Sequence, residues 1–150
     1  LSLTETQLRK NGILFSIGLP SDLPMVLVNV QQIQQVFLNI INNARYALNE
    51  RYPGPDENKR LLISGEEVRT DDGQFVRVTF RDHGTGIPAR IIDRVMNPFF
   101  TTKPAGVGTG LGLSISHGII TDHGGRMRIE SVEQSHTTVT IDLPVFRGER

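Results

Sequence analysis

Apolar positions along this chain switch between a helical and an alternating period, and the switches mark the elements. Residues Leu1 to Lys10 have helical spacing, with Leu1 and Leu8 in phase, and run into Asn11-Gly12, a C-cap signal. Ile13 to Leu19 then alternates as a short strand before Pro20. Asn29 is placed to cap a long helix from about Gln31 to Glu50, whose apolar face is Ile33, Val36, Phe37, Ile40, Ala44, Ala47 and Leu48. Tyr52 to Lys59 holds Pro53, Gly54 and Pro55 and reads as a loop. Leu61 to Arg69 and Phe75 to Asp82 read as strands joined through a hairpin turn at Asp71-Asp72-Gly73. In the second of these, Val76, Val78 and Phe80 share a face with Asp82, while Arg77, Thr79 and Arg81 share the other.

From Gly84 to Thr109 the chain is rich in Gly, Pro and Thr, with a short helical piece near Ala89 to Met96; so long an irregular stretch usually forms a functional loop or lid. A helix opened by glycines, with Leu111, Leu113, Ile115, Ile119 and Ile120 apolar, reaches about His123 and ends at Gly124-Gly125. Arg126 to Val132 and Thr137 to Leu143 form a last strand pair. Strand pairs separated by single helices predict an α+β two-layer sandwich: a mixed or antiparallel sheet with helices on one face, not a doubly wound fold.

Charge changes the picture by exclusion. Sixteen basic residues balance sixteen acidic ones without a long run of either sign, which gives little support to a nucleic-acid surface or a polybasic membrane patch. Cysteine is absent, which removes disulfides and thiolate metal sites. No apolar run approaches the ~20 residues that span a bilayer, and no signal-peptide pattern opens the chain, so a soluble segment is expected. The start at Leu1 instead of Met suggests a piece cut from a longer protein.

The candidate chemistry centres on Gly106, Gly108, Gly110 and Gly112. Glycine at every second position frees the backbone to reach φ > 0 and turn N–H groups toward an anion, and the helix that follows presents its N-terminus to the same place. Gln35, Asn39 and Asn43 lie at i, i+4 and i+8 and stack along one helical stripe beside the apolar face. Alone, that stripe is equally a solvated polar face; as an amide at the core edge, Asn43 is the best candidate ligand for Mg²⁺, which takes hard oxygen donors together with substrate phosphates. Asp82 follows three core-facing positions in phase, so its carboxylate should point inward and require a donor, such as the adenine amine. A turn-forming Asp before glycine is the plainer alternative. Asn97-Pro98-Phe99-Phe100-Thr101-Thr102-Lys103 joins aromatics that can pin a lid to a lysine that can reach a terminal phosphate, although a loop pinned by two buried rings would look the same. Gly84-Thr85-Gly86-Ile87-Pro88-Ala89 matches a dinucleotide pattern weakly, since no acidic residue follows about 20 positions on; neither glycine stretch carries the GK[ST] of a P-loop. His83, His117, His123 and His136 lack a metal-binding partner set and fit solvent exposure or ordinary packing.

Together these segments resemble the catalytic ATP-binding domain of sensor histidine kinases, within the superfamily shared by gyrase, Hsp90 and MutL. The N box corresponds to Gln35 through Ala44, the first glycine box to Asp82-His83-Gly84-Thr85-Gly86-Ile87, the F box to Pro98 through Lys103, and the second glycine box to Gly106 through Leu113. The resemblance covers nearly the whole chain and implies a two-layer α/β sandwich of the Bergerat type that holds ATP under a mobile lid. It further implies that Asn43 coordinates Mg²⁺, Asp82 reads adenine, Lys103 contacts phosphate and the second glycine box wraps the phosphates. The ATP-binding set is then Asn39, Asn43, Asp82, Gly84, Gly86, Ile87, Phe100, Thr101, Thr102, Lys103, Gly106, Gly108, Thr109, Gly110, Leu111, Gly112 and Leu113, with Thr137 assisting the adenine site through water. Catalysis falls to Asn39, Asn43 and Lys103. The sequence departs from the family at His83, where Asn is common, at His136, where Gly is frequent, and at Tyr46, where many kinases carry a basic residue.

One position separates kinase from ATPase. Hydrolytic relatives place a Glu one turn before the Mg²⁺ ligand, where this chain has Asn39, and an amide cannot act as a general base at neutral pH. The resemblance therefore favours Mg-ATP binding and γ-phosphate transfer to a histidine of a separate dimerisation and phosphoacceptor domain. That acceptor is not evident in this segment. Expected partners are that domain and a downstream response regulator of a two-component system; the expected location is cytoplasmic, in a phosphoprotein whose parent has room for a membrane anchor elsewhere, with neither nucleic acid nor direct membrane contact from this segment. The rival readings are an ATP hydrolase of the gyrase or Hsp90 type and a non-catalytic ATP-binding regulatory module.

Overall fold

The structure is a computed structural model and describes residues 2–97 and 112–147. Its elements in order are α1 (Ser2–Lys10), β1 (Leu14–Gly18), α2 (Val30–Arg51), β2 (Arg60–Thr70), β3 (Gly73–Asp82), a 3₁₀ turn (Ile92–Arg94), α3 (Gly112–Asp122), β4 (Arg126–Val132) and β5 (His136–Pro144). The strands form one five-stranded sheet in the order β1-β2-β3-β5-β4. β1 pairs parallel to β2 and every other pairing is antiparallel, so the expected mixed, mostly antiparallel α+β sandwich is the fold observed.

Local chemistry fixes the helix ends. The chain leaves α1 through Gly12 at φ +72°, and the N–H of Ile13 returns to the carbonyl of Leu8. Asn29 caps α2 as expected, its Oδ1 accepting the N–H of Gln32 at 3.0 Å. α3 stops at Gly124, φ +77°. His123, just past α3, lies with Nδ1 2.8 Å from the carbonyl of Ile119 while its Nε2 accepts the N–H of Asn29 at 3.1 Å. The imidazole thus ties the end of α3 to the cap of α2, where the sequence suggested only packing or exposure.

The inner face of the sheet carries Leu61, Ile63, Val76, Val78, Phe80, Val139, Ile141 and Met127, all buried against Ile33, Val36, Ile40, Ala44 and Leu48 of α2 and Ile120 of α3. Phe37 meets Phe80 edge-to-face at 5.2 Å between centroids. The other face is polar. Register places Glu66, Arg77, Asp142 and Arg126 side by side across four strands with alternating charge. Arg77 holds Asp142 bidentately, donating from Nε to Oδ1 at 2.8 Å and from Nη2 to Oδ2 at 3.0 Å, and Asp142 is 1% exposed. Replacing Arg77 by Leu would strand that buried carboxylate; we expect a loss of about 3 kcal/mol, read as a lower urea midpoint with unchanged slope. A drop below about 0.5 kcal/mol would mean that the pair is hydrated like an ordinary surface bridge.

One sequence expectation is adjusted. The helical piece near Ala89 to Met96 is one 3₁₀ turn, Ile92–Arg94, preceded by the hydrogen bond from Ile91 N–H to Pro88 O. Lys59 ends the loop expected from Tyr52, where it is 1% exposed and donates its Nζ to the carbonyl of Asn11 beyond the end of α1; burial lowers its pKa.

Candidate functional site

The alternation of β3 carries Asp82 to the inner face at the end of the strand, where it is 6% exposed. Burial pushes its carboxyl up to about 7, opposed by the N–H of Gly84, which donates to Oδ1 at 2.9 Å. Thr137 is its partner on β5, on the same inner face. Ser131 of β4 completes the group: its Oγ donates to the carbonyl of His136 at 2.7 Å and accepts the N–H of Ile87 at 2.7 Å. Ser131 has only one proton, so Thr137, 2.8 Å away, is the donor between the two hydroxyls. Asp82, Gly84, Ile87 and Thr137 are thus brought together, with Ser131 as a member that sequence reasoning missed. Its register with Thr137 was the available signal, and it needs the β4–β5 pairing to be known.

The glycines of Asp82-His83-Gly84-Thr85-Gly86 are steric necessities. A Cβ on Gly84 would lie 2.6 Å from the backbone carbon of Ala47 on α2. Gly86 has φ +70°, and a Cβ there would overlap the carbonyl of Val132. The loop is wedged between α2 and the β4–β5 turn, and Thr85 O accepts the N–H of Gln134 at 2.5 Å. His83 is partly buried; burial first, then Arg81, His136, Arg51 and Arg60, holds its pKa below the ordinary value.

On α2, Gln35 is exposed, whereas Asn39 and Asn43 are partly buried. The amide of Asn39 donates from Nδ2 to the carbonyl of Gly112 at 3.3 Å and to Ser116 Oγ at 3.1 Å, joining α2 to the first turn of α3. Asn39, Asn43 and Ala47 follow at one-turn intervals. The stripe therefore leads from the start of α3 past Asn43 to Gly84, over about 12 Å at 1.5 Å per residue. Gly112 opens α3 next to Asn39, and Leu113 packs partly buried against the core. Phe100, Thr101, Thr102, Lys103, Gly106, Gly108, Thr109, Gly110 and Leu111, with the rest of the F box and residues 98–109 of the expected lid, lie outside the described residues.

These residues fit a purine nucleotide with a hard divalent ion. A buried carboxylate with one oxygen satisfied by backbone suits an amine donor on the other. Among the described residues there is no group of three His, Cys, Asp or Glu that could hold a metal. Mg²⁺ accepts an amide oxygen such as that of Asn43 together with ligand phosphates.

Comparison with known proteins settles the lineage. Residues 28–147 match the family described as histidine kinase-, DNA gyrase B-, and HSP90-like ATPase. The chain belongs to that family. Membership carries the capacity to bind ATP. The catalytic domain of the histidine kinase ThkA, solved in a nucleotide-free form, superposes with a TM-score of 0.77 at 33% identity, over 96% of this chain and 86% of that one. Sporulation kinase A of Bacillus subtilis is 34% identical over 95% of this chain, and the sensor protein TdiS of Thauera aromatica 31% over 97%. The chain spans 22% and 25% of the length of those two relatives. Among the described residues no helix is long and apolar enough to cross a membrane.

Proposed function

We propose that this domain binds Mg-ATP and passes its γ-phosphate to a histidine on a separate dimerisation and phosphoacceptor domain, as the catalytic part of a cytoplasmic sensor kinase that signals through a response regulator. The observation that carries the reading is Asp82: a carboxylate on the inner face, 6% exposed, with Oδ1 fixed by Gly84 N–H. Its Oδ2 would accept the adenine amine, and the carbonyl that guanine places there would be repelled. The Ser131–Thr137 hydroxyl pair supports a water-mediated contact beside it.

Asn43, half-way along the α2 stripe, would contribute its amide oxygen to Mg²⁺, and Lys103 with the second glycine box would hold the phosphates. Bound Mg²⁺ supplies charge neutralisation on the phosphate oxygens. Asn39 supports transfer over hydrolysis, because its amide already donates to Gly112 and Ser116 and has no basic site to take a proton from water. The chain's own contribution is positioning and charge stabilisation, with the acceptor imidazole as nucleophile.

The isolated domain is therefore expected to be nearly inert toward ATP and to phosphorylate a supplied phosphoacceptor domain from its parent protein. Labelled ATP with that acceptor should produce acid-labile, alkali-stable protein phosphate. Robust hydrolysis by the domain alone, with no transfer to a folded acceptor, would place it with the ATPase relatives instead.

A further inference from the structure

Arg51, the last residue of α2, reaches back over the site. Its Nη1 lies 3.1 Å from the carbonyl of His83, 3.1 Å from that of Gly84 and 3.0 Å from that of Ser135, and its guanidinium stands 5.3 Å over the ring of Tyr52. The first of these carbonyls belongs to the same peptide unit as the N–H that donates to Asp82 Oδ1. In a trans peptide the oxygen and the hydrogen point in opposite directions, so one dipole runs from the cation to the carboxylate. A carbonyl that accepts from a guanidinium polarises its own N–H into a stronger donor.

We infer that Arg51 is a positioning residue for purine selection, acting through the His83–Gly84 peptide to fix and polarise the donor that holds the Asp82 carboxylate. This inference rests on Asp82 as the adenine reader. The bond to Ser135 extends the clamp to the β4–β5 turn, so this side chain joins the Thr85–Gln134 and Ile87–Ser131 bonds in holding the first glycine box to the strand pair that bears Thr137. Among the described residues, the charged and titratable groups beside the loop are Arg81 on β3 and His83 beyond its end, Arg60 on β2, His136 on β5, Tyr52 under the Arg51 guanidinium, and Arg51 itself. Of these side chains, that of Arg51 is the one linked to the Asp82 carboxylate through the hydrogen bonds of a single peptide unit among the described residues. The burial that raises the carboxyl makes its occupancy by a proton sensitive to the strength of the Gly84 donor.

The test uses the whole chain with Arg51→Met, which keeps the stem and removes the donors. A carbon-13 NMR titration of Asp82 without nucleotide should show its midpoint raised by about one pH unit relative to the parent. Calorimetry at pH 7 should show ATP affinity reduced about tenfold, with the preference for ATP over GTP reduced alongside it. An unchanged Asp82 midpoint in a folded Arg51→Met protein would overturn the inference and leave Arg51 as a staple between loops. If Arg51→Met does not fold, Arg51→Lys, which keeps the charge but cannot span three carbonyls, is titrated in its place. A smaller upward shift supports the inference and no shift overturns it. Asp82→Asn is the control on the underlying reading: ATP affinity equal to the parent's would remove Asp82 as the adenine reader, while the nucleotide-free titration would still decide whether Arg51 acts on it.

Discussion

At pH 8, Asp82→Asn is expected to cost at least 100-fold in ATP affinity while making the nucleotide-free domain more stable. The amide presents a second donor to the adenine amine or turns its only acceptor away from Gly84, and a buried polar mismatch of that kind is heavily penalised. Stability moves the other way because the parent buries a carboxyl raised to about 7 from 3.8, chiefly by desolvation. Between those values the native state keeps a proton that the unfolded chain has released, so parent stability falls as pH rises. The cost is complete above about pH 7 and absent below about pH 4, and over the whole window it is of order 4 kcal/mol. Urea melts at pH 5 and pH 8 should show a fall in the parent that the Asn variant lacks. Ligand binding should have the opposite trend, with parent ATP affinity rising toward pH 8 as Asp82 ionises. An Asn variant with the parent's pH slope would mean that the carboxyl is not desolvated as described.

Asn43→Ala should lose the Mg²⁺-dependent part of ATP affinity and more than 1000-fold in phosphoryl transfer, with little change in melting temperature. The side chain is only partly buried, and alanine is the better helix former by up to ~0.7 kcal/mol, so the fold should survive the change. Asn43→Asp keeps an oxygen donor and should keep part of the binding. Calorimetry with and without a chelator separates the terms. The same Mg²⁺ dependence in Asn43→Ala as in the parent would move the metal ligand elsewhere.

How far these residues could be read in the chain depends on how local their determinants are. Asn29, Gly12 and Gly124 cap their helices because capping needs only the adjacent few residues. The inner face of β3 follows from period-two alternation, and Asp82 inherits its direction from Val76, Val78 and Phe80. Gly84 and Gly86 stand out as glycines, but the sequence does not show what excludes a side chain there: the backbone of Ala47 for one, and Val132 with a positive φ for the other.

What the sequence determined by itself was the kind of elements, their order, the layer each apolar face would join and the residue types gathered into ordered motifs. These are set by side-chain period, capping and turn chemistry over spans of a few residues. Only the tertiary structure decided that β1 runs parallel to β2, that β5 inserts between β3 and β4, and that Ser131 and Thr137 therefore stand beside Asp82. It alone spent the amide of Asn39 on α3 and brought Arg51 onto carbonyls 32, 33 and 84 residues away. Strand order and long-range polar contacts depend on which surfaces meet when the helices cover the sheet, and no local pattern encodes the partner of a buried donor.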